Sequence, residues 1–257
     1  LIRIKMKHFT LIFLLFLPYS GIPSCDQILK VVNTETTSQS PLSSSEIIKG
    51  LKTALLVGTD SSVTATSRLN GYFMDEAIKI YLPPEASVIY KNKDNVLFRA
   101  IGLDKKLDET ILALNRAAED AASEAGPIFR ESIRSLSITD GMAILKGKNP
   151  ALPNQTQEFD STAATAYLKT TTHAQLRDAF APKISTSLDK KLIENYSPNQ
   201  IWNNLTSTYN NVAGKSMGMI EPIGNTDLSI YVTDKALDGL FHFFCIEEKK
   251  IPKDPLR

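Results

Sequence analysis

The stretch LDETILALNRAAEDAASEA, residues 107–125, decides the fold. Leu107, Ile111, Leu114, Ala118, Ala121 and Ala125 recur at spacings of three and four, so they stand on one narrow face of an α-helix of about five turns. Such a stripe needs a partner, and the last helical stretch, residues 228–251, supplies one in Val232, Leu237, Leu240, Phe241 and Phe244. Pro252 and Pro255 are placed to end it.

Moving outward from this pair, the chain is helical in pattern from Ser45 onward. Ile47, Ile48, Leu51, Ala54 and Leu55 form an earlier stripe that Gly58 is positioned to close. Residues 77–82 alternate apolar and polar before Pro83-Pro84, which marks one short extended segment feeding a helix whose first turn tolerates proline. Pro127 opens a helix bearing Ile128, Phe129, Ile133 and Leu136. Ser137 with Asp140 resembles a capping box for a short helix closed by Gly147; Thr172 with Gln175, and Ser197 with Gln200 around Pro198, repeat the device. Pro182 is expected to kink or split the helix carrying Leu176, Ala179, Phe180, Ile184 and Leu188. Residues 148–160 and 213–225 are loops. The expected fold is all-α: a multi-helix, bundle-like single domain with one short extended segment.

The N-terminus speaks to location. Arg3, Lys5 and Lys7 precede an apolar run over residues 11–17, broken by Pro18 and Gly21 and far short of the roughly 20 residues a bilayer span needs. Either Leu1 or Met6 serves as its start. Ile22-Pro23-Ser24-Cys25 then resembles the lipobox of bacterial lipoproteins, with Pro23 a departure from the pattern. In such signals the cysteine thiol receives a diacylglycerol and the peptide is cut just before it, so Cys25 is the expected lipid-attachment site. Residues 1–24 thus form a signal peptide, residues 25–45 the lipidated cysteine and a Ser/Thr/Gln-rich tether, and residues 46–257 the helical domain. A tether of that length gives a reach of about 20–25 Å. The expected location is the bacterial cell envelope, lipid-anchored and facing the periplasm, with the membrane as first partner and an envelope protein or apolar ligand as the second. Asp26 resembles the inner-membrane retention signal of some bacteria.

Composition narrows the chemistry. The 257 residues carry 29 Lys and Arg against 28 Asp and Glu, a net charge of +1, with 42% hydrophobic residues. Loss of residues 1–24 removes three cations and no acid, leaving a mildly acidic body with no basic field for nucleic acid or anionic lipid. Two cysteines and three histidines do not furnish a structural zinc domain, and no cofactor motif is present.

Several blocks resemble a known family. Leu114-Asn115-Arg116-Ala117-Ala118-Glu119, Pro127-Ile128-Phe129, Asp140 with Ala143-Ile144-Leu145, Ala166-Tyr167-Leu168 and, most specifically, the run from Tyr231 to Phe241 are similar to the ordered blocks of the bacterial family called domain of unknown function 4197. The resemblance covers about residues 45–255; residues 148–160 are longer than that family usually has. It implies a helical envelope domain, commonly behind a lipoprotein or secretory signal, and supplies no catalytic residue.

Site candidates therefore rest on the residues themselves. Asp234, Asp238 and His242 share one helical face, where a carboxylate and imidazole four apart suit a base or part of a metal site; the plainer reading is a solvated face of ordinary helix pairs. A metal needs a further ligand, and His173 is the other histidine beyond the signal. Asn115, Arg116 and Glu119 suggest an interhelical polar clamp. Cys245 falls on the apolar face as an inert thiol. The loop Met217-Gly218-Met219-Ile220-Glu221-Pro222-Ile223 is apolar for a connection, so Met217, Met219, Ile220 and Ile223 are contact candidates unless they fold back on the core. Three functions follow: a non-enzymatic envelope binding or scaffold module, a carrier of an apolar small molecule between helices, and a hydrolase using Asp234, Asp238 and His242.

Overall fold

The computed structural model describes residues 43–92, 96–152, 159–224 and 227–251. The signal sequence, Cys25, most of the tether, Pro252 and Pro255 lie outside the described residues. Every regular element described is helical.

Helix α1 (Ser44–Ser67) starts at a full capping box, in which Ser43 accepts from the Glu46 amide and the Glu46 carboxylate accepts from the Ser43 amide. It does not end at Gly58. The helix runs on for another two turns or so, because Gly58 is buried where α1 meets the C-terminal helix; a Cβ there would sit 3.3 Å from that of Glu247. Beyond it Thr59, Ser62 and Thr66 are buried and donate their hydroxyls to carbonyls one turn back, so they enter the core without unpaired polar atoms.

The chain then leaves helical form until a 3₁₀ turn at Pro84–Ala86 leads into α2 (Ser87–Asn92). Residues 76–78 form a hydrogen-bonded turn, so the extended segment is shorter than the expected 77–82; Ile78, Ile80 and Leu82 still face inward and Lys79 and Tyr81 the other way. The short α3 (Val96–Ala100) precedes α4 (Leu103–Ala122), which starts after Gly102 in the left-handed region (φ 71°). The α4 stripe is buried throughout. Helix α5 (Ala125–Arg134) carries Pro127 in its first turn, and α6 (Ile138–Leu145) is capped by the Ser137 hydroxyl and followed by Gly147 at φ 68°.

On one helix an expected start signal caps nothing and an expected split does not occur. Helix α7 (Ala163–Asp189) runs unbroken through both Thr172 and Pro182. Thr172 is interior and turns its hydroxyl back to the Leu168 carbonyl, so it caps nothing. Pro182 is accommodated because Leu168, Leu176, Phe180, Ile184 and Leu188 are all buried; that packing outweighs one missing backbone hydrogen bond. Helix α8 (Pro198–Lys215) starts at the Ser197/Gln200 capping box, and α9 (Leu228–Glu248) at Asp227, which accepts from the Ser229 amide.

Helix α9 is the axis of the domain and packs on α7, α1 and α4. It runs antiparallel to α1, since Gly58 meets Glu247 whereas Tyr72, just past the end of α1, meets Gly239. It also runs antiparallel to α7: the buried Glu248 carboxylate accepts from the Ala164 and Thr165 amides at 2.8 Å and so caps the N-terminus of α7 from the far end of α9. Phe129 of α5 closes the core edge-to-face on Phe241 (5.3 Å between centroids, 81°). Helix α8 lies on the other side of α4, where Tyr209 stacks on Phe98.

Candidate functional site

The site begins with how the non-helical stretch after α1 is fixed. Its backbone groups are buried without a strand partner, and α4 supplies side chains in place of one. Asn115, fully buried, accepts from the Ile80 amide at 2.9 Å and donates to the Ile80 carbonyl at 2.8 Å, copying the two bonds of a β-ladder. One turn on, a Glu119 oxygen accepts from the Tyr72 and Phe73 amides, both at 3.1 Å. Arg116 pairs with Glu119 and reaches Asn70 at 2.9 Å. The expected clamp of Asn115, Arg116 and Glu119 exists, but it grips a loop and does not join two helices. Tyr72 carries the tie onward to α9, donating its hydroxyl to the Ala236 carbonyl at 2.7 Å. Its ring crosses α9 at Gly239, where a Cβ would come within 2.5 Å. Glycine in that block is therefore a close-approach residue.

Against this fixed segment α9 forms a groove of about 440 Å³. One wall is Lys79 and Tyr81; the other is Tyr231, Lys235, Asp238 and His242. The wall residues are held in place. The Tyr231 hydroxyl donates to the Tyr81 carbonyl at 2.9 Å, and burial, followed by the charges of Tyr90 and Glu85, pushes its pKa up to about 12. The Tyr81 hydroxyl donates to Glu76 at 2.7 Å, which raises the phenol's pKa and, with Lys79, lowers that of the carboxyl. Lys79 lies between aromatic rings, its ammonium 4.7 Å from the Phe73 centroid and 5.8 Å from that of Tyr81, and meets Glu76 at 3.2 Å.

The structure places the three polar residues of α9 on one face but not in one reacting group. Asp234 pairs with Arg177 and Asp238 with Lys169, both at 2.8 Å, so the two carboxylates tie α9 to α7. His242 stands exposed at the groove, while His173 stacks on Phe241 with centroids 6.2 Å apart. Among the described residues no group of three or more His, Cys, Asp and Glu is arranged to hold a metal ion. Cys245 is half-buried and unpaired, a little more open than its place on an apolar face suggests.

The loop after α8 divides. Ile223 is buried in the core and Ile220 packs against it, whereas Met217 and Met219 are 97% and 85% exposed. Asn210 of α8 pins Ile223 through both backbone groups, at 2.8 and 2.9 Å. Lys79, Tyr81, Tyr231 and Lys235 were not among the sequence candidates. The available signal was the alternation of residues 77–82, which sets Lys79 and Tyr81 outward together, and the spacing of Lys235, Gly239 and His242 along one face.

Comparison with known proteins agrees with the helical blocks. Residues 41–257 match the model of the family described as "Protein of unknown function (DUF4197)", and the chain belongs to that family. No curated protein and no solved structure matches it.

Proposed function

We propose that this member of the DUF4197 family is a non-enzymatic lipoprotein of the bacterial cell envelope: a helical binding or scaffold module, tethered through lipidated Cys25 and facing the periplasm. The observation that favours binding over hydrolysis is the state of the α9 carboxylates. Asp234 and Asp238 each meet a cation of α7, and neither is hydrogen-bonded to His242 as a base-orienting carboxylate would be. The four pockets described all carry charged side chains on their walls, so the carrier reading gains no support from them. The order of cations, apolar run and small residue before Cys25 supports the tether. Several acyl chains, at about 0.8 kcal/mol per buried methylene, suffice for stable anchoring. Among the described residues no helix is long and apolar enough to cross a membrane.

The test is fractionation with intact-mass analysis of wild type and Cys25→Ala expressed in a bacterial host. Wild type should sediment with membranes and carry acyl mass on the peptide beginning at residue 25, and the variant should be released or left uncleaved. Unchanged membrane sedimentation of the variant, together with acyl-free wild type, overturns the tether. A measured turnover lost in folded Asp238→Ala or His242→Ala overturns the non-enzymatic reading.

A further inference from the structure

We propose that the groove between residues 77–82 and α9 binds a small ring-bearing carboxylate, with the anion at Lys235 and His242 and the ring against Tyr81 and Tyr231. This rests on the reading of the domain as a binding module and names the ligand class.

Charge balance comes first. Lys79 is answered by Glu76 and Asp238 by Lys169. Lys235 also lines the groove, and among the described residues no carboxylate is paired with it. One positive charge is therefore uncompensated at the mouth. His242 lies seven residues on, on the same helical face, and adds a ring N–H donor. Gly239 between them is packed under the Tyr72 ring and carries no side chain, so nothing from that position stands between the two donors. A carboxylate matches a single excess positive charge. A phosphate dianion carries one charge more than the groove offers.

The ring requirement comes from the other wall. Both tyrosine hydroxyls are already committed, Tyr81 to Glu76 and Tyr231 to the Tyr81 carbonyl, so the two rings are set before any ligand arrives. Fixed aromatic walls bind a flat or cyclic partner with little ordering cost. The volume of about 440 Å³ suits a single ring with a carboxylate.

A carboxylated ring is either a sugar acid or an aromatic acid, and the experiment separates them. Full-length lipidated protein in detergent is titrated with glucuronate and with benzoate, and in parallel with methyl glucoside and benzyl alcohol as neutral counterparts, followed by ligand-observed nuclear magnetic resonance. One acid should bind and its neutral counterpart should not. Lys235→Gln, a change at an exposed position, should weaken binding at least about tenfold, as loss of a charge-assisted hydrogen bond does. Tyr81→Ala should weaken it as well, and Lys249→Gln on the exposed end of α9 should not. Failure of both acids at millimolar concentration, equal binding of a neutral counterpart, or undiminished binding by Lys235→Gln overturns the assignment. If wild type is acylated at Cys25 yet binds neither acid, the groove assignment falls and the tethered module stands.

Discussion

Two non-helical regions of the domain are held by the same device and to opposite effect. In each, an asparagine on a neighbouring helix takes both backbone groups of one isoleucine: Asn115 those of Ile80, and Asn210 those of Ile223. Asn115 is fully buried and is backed by Glu119, Arg116 and the Tyr72 hydroxyl, so residues 70–73 and Ile80 are fixed against α4 and α9. Asn210 is half-buried, and the loop it pins adds local bonds, from the Ile220 amide to the Ser216 hydroxyl at 3.0 Å and from the Met219 amide to the Ser216 carbonyl at 3.1 Å. The loop also bends through two successive left-handed residues, Met217 (φ 52°) and Gly218 (φ 85°), and turns its methionines outward. A paired backbone group thus yields a rigid groove wall where it is reinforced and desolvated, and an anchored but open loop where it is not.

Truncating the two asparagines should separate them most. Asn115→Ala leaves the buried amide and carbonyl of Ile80 unpaired, at about 1–3 kcal/mol each, so a loss of roughly 2–6 kcal/mol is expected. Water can replace the half-buried Asn210 side chain, and Asn210→Ala should cost about 1 kcal/mol. Denaturant midpoints at unchanged slope measure both. Equal losses would mean that burial is not what distinguishes the two regions.

Tyr72→Phe comes next. At neutral pH it removes one hydrogen bond to the Ala236 carbonyl and should cost about 1 kcal/mol. Its effect at high pH has the opposite sign. Burial raises the Tyr72 pKa above its ordinary 10.0, so the contribution of the protonated phenol is fully present below pH 10.0 and is lost as pH rises toward the folded value. Wild type should therefore lose stability above that pH more steeply than Tyr72→Phe, and the gap between them should shrink. Parallel alkaline curves would show that another group controls that range.

These contrasts also mark how far the sequence could be read. The stripes of α4 and α9 were legible because each repeats over many turns, and the Ser197/Gln200 cap because its partners are three apart. Thr172 starts no helix and Pro182 does not split one, because local start and stop signals each weigh little against five buried apolar side chains along α7. Gly58 misled because a glycine that ends a helix and one that admits a neighbouring helix look alike in one dimension. Asp238 and His242 were placed on one face by spacing alone. Their surroundings were not, since Lys169 and Lys79 come from distant segments, and nothing local to Glu248 signals that it caps α7.

The smallest effect belongs to the open loop. Met217→Ser/Met219→Ser should leave the denaturation midpoint within about 0.5 kcal/mol of wild type, because both side chains are almost wholly in solvent. Ile220→Asp is a different substitution. Ile220 packs on the core beside buried Ile223, so a charge there desolvates and should cost about 2 kcal/mol or more whether or not the loop has a partner. The methionine pair therefore isolates the exposed half of the loop. If Met217 and Met219 form a contact surface, the double serine variant loses association with envelope partners at unaltered stability, read as reduced cross-linking in intact cells against wild type. If cross-linking is unaltered, the exposed methionines are a by-product of the turn geometry at Met217 and Gly218, and the fixed groove beside Tyr81 becomes the stronger place to seek the ligand.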